Sequence, residues 1–390
     1  MSSKNIAGLV SRLPVLGGMQ IRHRVQKLNA LYLSSDEVRA CEQDDAKKKA
    51  AVEQFFRSYP QRFSADKQKA EQMLTDSPLG QATEDHAHLL TEMLFCKIAY
   101  GFHPEEYVCY ELQDKTPQER RAFLSSRDCF NYALRMNRIA ETEIFNNKGL
   151  TYQFFEQYFR RDAVYLERES DLDAFLSYVK AHPVFVKKAV RESMGRSVER
   201  IDLNALNTDP KTLFTQWMQK GPHILEECIV QSECFRALNA SSVNTVRGIT
   251  FHTQHGIEAP YFFMKIGRSG SFVDNGGAGG ILVGIDGQTG CLCTDGFDEL
   301  NFRYEQHPDS KITFKGYQLP DIEGLKALCV RLSEQLPQVR YIGWDFAHTA
   351  DGWVVVEGNG SSQIIGPQTT FKTGFRNDIE RYMQDMKLLY

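Results

Sequence analysis

The sequence predicts an α+β protein, with a helix-rich N-terminal part followed by a strand-rich part. Two observations carry this. From residue 36 to about 165, apolar residues recur at three- and four-residue spacing among strong helix formers. After residue 180 the texture changes to short runs rich in β-branched and aromatic residues, interrupted by two helical stretches.

In the first part, "DDAKKKAAVEQFFRSYP", "EDHAHLLTEMLFCKIAYG" and "ERRAFLSSRDCFNYALRMNRIAETEIFNN" read as helices, punctuated by Pro60, Pro78, Pro104 and Pro117. His86 and His88 in "HAH" have no partner ligands nearby in the sequence and read as residues of a polar helix end rather than a metal site. In the second part, "PVFVKKAV", "HILEECIV", "SVNTVRGITFHT", "APYFFMKIG" and "GILVGID" read as strands, while "DPKTLFTQWMQKG" and "DIEGLKALCVRLSEQL" read as helices. Division into residues 1–35, 36–140 and 141–390 follows: a basic arm, a helical region and a mixed domain. No internal repeat or low-complexity linker interrupts them.

At 390 residues the chain is long enough for two or three cores of useful size. Its 42% hydrophobic and 25% charged content are those of an ordinary globular protein. A net charge of −4 argues against a generic nucleic-acid binder. The nine scattered cysteines, without a metal-type Cys-x-x-Cys pair, suit reduced thiols in a cytoplasm. Residues 1–35 hold Lys4, Arg12, Arg22, Arg24 and Lys27 and no acid. Such an arm suits either a basic helix packed on its own protein or peripheral contact with a membrane surface.

The stretch "YIGWDFAHTADGWVVVEGNG" (341–360) sets the chemical question. Acids are poor strand formers, yet each arm of this apparent hairpin carries one. A three-residue loop, Ala350-Asp351-Gly352, would put Asp345 opposite Glu357, with Asn359 on the same face. A two-residue Asp-Gly loop would put Asp345 on the other face. Like charges facing across a strand pair repel, and a divalent cation with hard oxygen ligands would remove that penalty. Merely solvated carboxylates on an exposed edge are the alternative.

Other segments carry phosphate-type chemistry. "VFVKKAVRESMGRSVERI" places Lys187 and Lys188 at a strand end before a small-residue loop, where backbone N–H groups around Gly195 suit phosphate oxygens. It does not fit the Gly-Lys-Ser/Thr pattern of a P-loop, and a plain hairpin reads equally well. Glu226 and Glu227 lie inside the apolar run "HILEECIV", and Arg247 lies in the strand "SVNTVRGIT", where a fixed guanidinium suits a transferring phosphoryl group. "DNGGAGGILVG" supplies Asn275, Gly279 and Gly280, a loop that either closes over a substrate or simply spans.

Taken in order, these pieces resemble the ATP-grasp superfamily over residues 140–365. "NNKGLTYQFFEQYF" resembles the segment with the first phosphate-binding lysine, which implies that role for Lys148. "FVKK" resembles the second, implying Lys187, with Lys188 where many members have proline. "LEECI" resembles the interdomain hinge. It implies that Glu226 and Glu227 lie near adenine and ribose, with the Ile229 backbone under the base and Glu233 as a further ribose contact.

"MKIGRSGSFVDNGGAGG" resembles a loop of glutathione synthetases and ribosomal-protein glutamate ligases, with Lys265 replacing an arginine and Arg268 an added charge. "GWD" and "EGN" resemble the metal triad, implying Asp345, Glu357 and Asn359. The sugar-transfer-associated branch is the closest likeness, because "GFHPEEYVCYEL" and the "ERRAFLSS" helix extend it upstream.

The resemblance implies an ATP-grasp fold, two α+β subdomains clasping ATP behind a helical region. It also implies ATP and Mg²⁺ (or Mn²⁺) as cofactors, and ligation of a carboxylate to an amine through an acyl phosphate. Arg247 and Arg268 would steady the transferred phosphoryl. The branch name suggests a substrate linked to cell-surface sugars. A kinase on the same fold, phosphorylating a hydroxyl, and a non-catalytic nucleotide-binding module are the competing expectations.

Overall fold

The computed structural model describes residues 32–61, 63–192, 197–206, 208–268, 270, 271, 274 and 279–388. Residues 1–31 of the basic arm, Gly195 and Asn275 lie outside the described residues.

Helices between Ser35 and Met136 form the N-terminal layer. Their ends are written into the sequence. Ser34, Thr116 and Ser125 close capping boxes with Glu37, Glu119 and Asp128, and Pro104 and Pro117 occupy first helical turns. His86 and His88 begin the helix His86–Tyr100, where His86 Nε2 donates to the Gly80 carbonyl at 3.0 Å. That helix sits at the centre of the layer, with Met93, Phe95, Cys96 and Ile98 buried among Phe102, Tyr107 and Tyr110. Gln368 joins the layer to the rest of the chain: its amide accepts from the Leu124 N–H and donates to the Leu124 carbonyl, each at 2.8 Å.

Two antiparallel sheets follow. The small one has the order β1-β4-β2-β3, from β1 (Ala163–Leu166), β2 (Val184–Ala189), β3 (Val198–Asp202) and β4 (His223–Glu227). Helices Leu172–Ala181 and Pro210–Met218 cover one face, burying Phe175, Phe185, Trp217 and Leu225. The large sheet has the order β11-β10-β5-β6-β7-β8-β9. Its strands are β5 (Thr245–Thr253), β6 (Gly256–Ile266), β7 (Ile281–Ile285), β8 (Leu292–Phe297), β9 (Arg303–Tyr304), β10 (Tyr341–Thr349) and β11 (Gly352–Asn359).

Alternation along β10 decides what each side of the large sheet does. Ile342, Trp344 and Phe346 are fully buried and belong to the core that includes Leu325, Leu328 and Leu332 of helix Ile322–Glu334. Trp344 Nε1 donates to Ser333 Oγ at 3.0 Å, so the indole dipole is satisfied inside that core. Gly343, Asp345 and Ala347 point to the opposite side.

Helix Lys148–Phe159 lies between the sheets, with Tyr152, Phe155 and Phe159 in the same core as Trp344. Two backbone bonds tie its ends to the small sheet: Lys148 N donates to the Val190 carbonyl at 3.1 Å, and Glu227 N donates to the Asp162 carbonyl at 2.9 Å. Among the described residues no helix is long and apolar enough to cross a membrane.

Candidate functional site

The hairpin β10–β11 brings its two carboxylates together by a route the loop alone would not supply. Thr349 pairs with Gly352, so the loop is Ala350-Asp351, not the expected three residues; Gly352 has φ +98°. Continued down the ladder, that register would set Asp345 opposite Val356. A β-bulge between Phe346 and Asp345 adds one residue on β11, and Asp345 pairs with Glu357 instead. Asn359 follows on the same face, opposite Gly343, with its Nδ2 3.5 Å from Glu357 Oε1.

Asp345 is 1% exposed and carries two cations. From its pairing position on β5, Arg247 Nε donates to Oδ1 at 2.6 Å and Nη2 donates to Oδ2 at 2.7 Å. Lys265 Nζ on β6 lies 3.0 Å from Oδ2. The guanidinium reaches this position because residue 343 has no side chain. A Cβ there would meet Ser362 Oγ at 2.1 Å and Arg247 Cδ at 3.2 Å. Burial alone would raise the Asp345 carboxyl, but Arg247 and Lys265 outweigh it and hold it well below the usual carboxylate range. Glu357 goes the other way: burial, and then the facing Asp345, push it up.

Lys265 has a second acidic neighbour. Asp274 is buried, accepts a 2.5 Å bond from Thr245 Oγ1, and is raised by burial in spite of Lys265.

Across from this cluster lie the lysines. Lys148, the first residue of its helix, is depressed by burial; Glu357 opposes that shift and Lys188 adds to it, so the three belong to one electrostatic neighbourhood. Lys148 Nζ donates to the Glu192 carbonyl.

The strand β2 lysines correct one expectation. Lys187 shares the face of Phe185, which packs on the covering helices: its ammonium lies 4.9 Å from the Trp217 ring centroid and 3.0 Å from Glu199. Lys188 points between the sheets, with its Nζ 2.8 Å from Glu226 Oε1. Alternation permits only one of two neighbours on each side, and Phe185 in the core settles which.

Glu226 and Glu227 face opposite sides of β4. Glu226 is 3% exposed and fully engaged, by Lys188 on one oxygen and by Arg161 on the other, with Nε at 2.8 Å and Nη2 at 2.5 Å. These cations overcome burial and hold its carboxyl down to about 2. Its oxygens thus face Lys188 and Arg161, between the two sheets. Glu227 faces the other side of β4 and is exposed, accepting from Asp162 N at 3.3 Å. Ile229 is half-buried just beyond β4, and Glu233 is exposed at the start of helix Glu233–Leu238, 3.9 Å from Arg236. Arg268 likewise stands apart from the Asp345 cluster. It donates to Tyr304 Oη and pairs with buried Asp298 at 2.9 Å, so its charge is taken up at the β8–β9 end.

The structure therefore brings Arg247, Asp345, Glu357 and Asn359 together and leaves Lys148 within the field of Glu357. Of the β2 lysines it is Lys188, not Lys187, that meets Glu226, and Lys265, Asp274, Ser362 and Arg161 are further polar neighbours of these residues. Lys265 stood out in the sequence only as a departure from a pattern, and nothing local marked Arg161 or Ser362, which reach the site from other elements. Among the described residues no three His, Cys, Asp or Glu side chains converge as a protein-only metal site. Two facing carboxylates and an amide oxygen nevertheless fit Mg²⁺, which commonly takes one or two carboxylates and completes its sphere with phosphate oxygens and water.

Solved structures with a similar chain trace include the ATP-grasp ligase PsnB complexed with minimal precursor, at 13% identity over 64% of this chain and 63% of that one, with a TM-score of 0.40. D-alanyl-alanine synthetase A from Vibrio cholerae matches at 11% identity over 63% of this chain and 65% of its own, with a TM-score of 0.38. Phosphoribosylamine–glycine ligase from Thermotoga maritima matches at 11% identity over 64% and 56%, with a TM-score of 0.40. The matched part is less than two thirds of each of these chains. No curated protein matches the sequence significantly. The sugar-transfer associated ATP-grasp family model matches residues 129–384, more than half of the sequence and all of the site just described, and the chain belongs to that family.

Proposed function

We propose that the protein is an ATP-dependent carboxylate–amine ligase, forming an amide through an acyl phosphate. The observation that carries this reading is the pairing of buried Asp345 with half-buried Glu357 on a face that also holds Arg247 and Lys265, with Lys148 in the field of both Glu357 and Lys188. Four cations gathered around two carboxylates suit a triphosphate with its metal.

In this reading, Lys148 and Lys188 hold ATP phosphate oxygens, and Asp345, Glu357 and Asn359 would hold Mg²⁺. Bound there, the ion would neutralise charge on the phosphates and polarise the transferred group. Arg247 orients Asp345 through its two parallel bonds and keeps that carboxylate ionised. Lys265 offsets charge developing on the acceptor side. Transfer of the γ-phosphoryl to a carboxylate oxygen needs positioning and charge neutralisation more than covalent help from the protein. An amine then displaces the phosphate. The family description supports ATP as the nucleotide. A basic arm at residues 1–35 would fit a lipid-linked acceptor.

The decisive experiment is an ADP-release screen of carboxylate and amine pairs, with mass analysis of the product. Amide formation supports the proposal. Release of ADP that leaves a stable phosphoester on a hydroxyl substrate would make the protein a kinase, and absence of Mg²⁺-dependent ATP binding would make it a non-catalytic module.

A further inference from the structure

The register that faces Glu357 with Asp345 depends on one extra residue in β11, Val356, and a residue from outside the large sheet bonds to the strand beside it. Helix Lys148–Phe159 ends at Arg160, which adopts a left-handed conformation with φ +46° and turns the chain toward β1. The two arginines at this turn both reach the β10–β11 hairpin. Arg160 Nη1 donates to the Asp351 carbonyl in the loop at 2.8 Å. Arg161 Nη1 donates to the Val355 carbonyl, at the bulge, at 2.7 Å.

Arg161 is an unusual group to find there. Its side chain is 4% exposed, and its fork is spread over the Val355 and Phe159 carbonyls and Glu226 Oε2. The Phe159 ring lies 4.6 Å from the guanidinium. The other oxygen of Glu226 holds Lys188. A continuous set of contacts thus runs from the cleft lysine through Glu226 and Arg161 to the bulge, one residue short of Glu357 in space and two in sequence. Without the bulge, every side chain of β11 beyond it would change face, and Glu357 would leave Asp345.

We propose that Arg161 is a positioning residue for the Asp345–Glu357 pair, holding the β11 bulge from the small-sheet side and tying it to the lysine of the phosphate side. This rests on the reading of Asp345, Glu357 and Asn359 as the metal-binding face. Arg161 touches neither nucleotide nor metal in this scheme; it acts through Glu357. A single planar fork suits the role, because it serves a carboxylate and a carbonyl at once, which an ammonium cannot do with the same geometry.

The test is Mn²⁺ binding in the presence of the non-hydrolysable analogue AMPPNP, followed by electron paramagnetic resonance, in wild type, Arg161→Lys, Arg161→Met, Glu226→Gln and Arg161→Met/Glu226→Gln. The double variant removes the glutamate charge that Arg161→Met would leave to Lys188 alone, and Glu226→Gln by itself is the control for the loss of that charge beside Lys188. Loss of a partner bonded directly to a ligand weakens metal binding about 10- to 100-fold, and loss of the bulge, which moves a ligand itself, should cost at least the lower end of that range. The Mn²⁺ half-saturation should rise by at least that lower figure in both methionine variants and by less in Arg161→Lys. Thermal unfolding supplies the control, since an arginine that only stabilises the fold would lower the melting temperature and leave the half-saturation of folded protein where it was. An unchanged half-saturation in the double variant or in Arg161→Lys overturns the proposal. Failure of wild type to bind Mn²⁺ with AMPPNP would instead overturn the metal reading itself, and the proposal with it.

Discussion

Neighbouring lysines on β2 offer a sharp test, because they have the same chemistry and opposite surroundings. Substituting each by methionine removes the charge and keeps most of the aliphatic volume. Lys187 loses a contact over Trp217, worth about 0.5–2 kcal/mol, and an ion pair to Glu199, whose side chain is 56% exposed, worth about 0–1 kcal/mol. Both are terms in stability, and neither faces the cleft. Lys188 projects between the sheets, 12% exposed, toward Glu226 and within the field of Lys148. A charged hydrogen bond from such a group to a phosphate oxygen contributes about 1.5–3 kcal/mol net, or roughly 10- to 150-fold in dissociation constant.

Calorimetric titration with AMPPNP and Mg²⁺ reads this directly. Lys188→Met should weaken binding by that factor, and Lys187→Met should change it by less than about threefold while lowering the urea midpoint. A larger affinity loss at Lys187 would refute the reasoning, since it would mean that the strand presents its other face to the nucleotide.

Three further outcomes are expected. Arg247→Met leaves buried Asp345 with Lys265 as its one remaining cation, and urea unfolding should show a loss toward the lower end of the roughly 3–5 kcal/mol typical of a broken buried pair; a loss under about 1 kcal/mol would mean the pair is not formed. Glu226 is held near 2 when folded against about 4.5 when free, so the stability it contributes is complete above about 4.5 and is lost as pH falls from there toward 2. That contribution is on the order of 3 kcal/mol, and the urea midpoint of wild type should therefore drop more steeply with acid than that of Glu226→Gln. Removing divalent ions with EDTA should leave the melting temperature within about 2 °C, because Asp345 already carries two protein cations and the fold does not depend on metal charge as a structural zinc domain does; cooperative unfolding on chelation would contradict this.

Much of the architecture was legible from periodicity alone. The switch from three- and four-residue spacing to short β-rich runs marks the passage from the helical layer to the sheets, and the two interrupting helices appear where "DPKTLFTQWMQKG" and "DIEGLKALCVRLSEQL" stand. The site was legible in part. Acids inside apolar strands at 345 and 357 are conspicuous because strands disfavour them. Which of two adjacent lysines turns inward was not legible, since β2 reads apolar on both sides and only the packing of Phe185 against Trp217 breaks the tie. Nor was the fate of Glu226, whose partner Arg161 is distant in sequence and belongs to a different element.

The hairpin shows why a correct pairing can rest on an incorrect loop. A three-residue loop and a two-residue loop with a bulge deliver the same partner to Asp345, because each adds one residue to the same arm. They differ in where the strain and the unpaired backbone go. In the first case the extra residue sits in solvent at the turn; in the second it sits inside the sheet, beside a buried carboxylate. Val354, Val355 and Val356 are identical in sequence, so no local preference says which of them is skipped. The choice has to come from elsewhere in the fold, and two contacts stand at that point, the packing of Val355 in the core and the bond from Arg161 to its carbonyl. A residue that looks like a helix-end arginine in the sequence is thereby linked to the orientation of a carboxylate far along the chain.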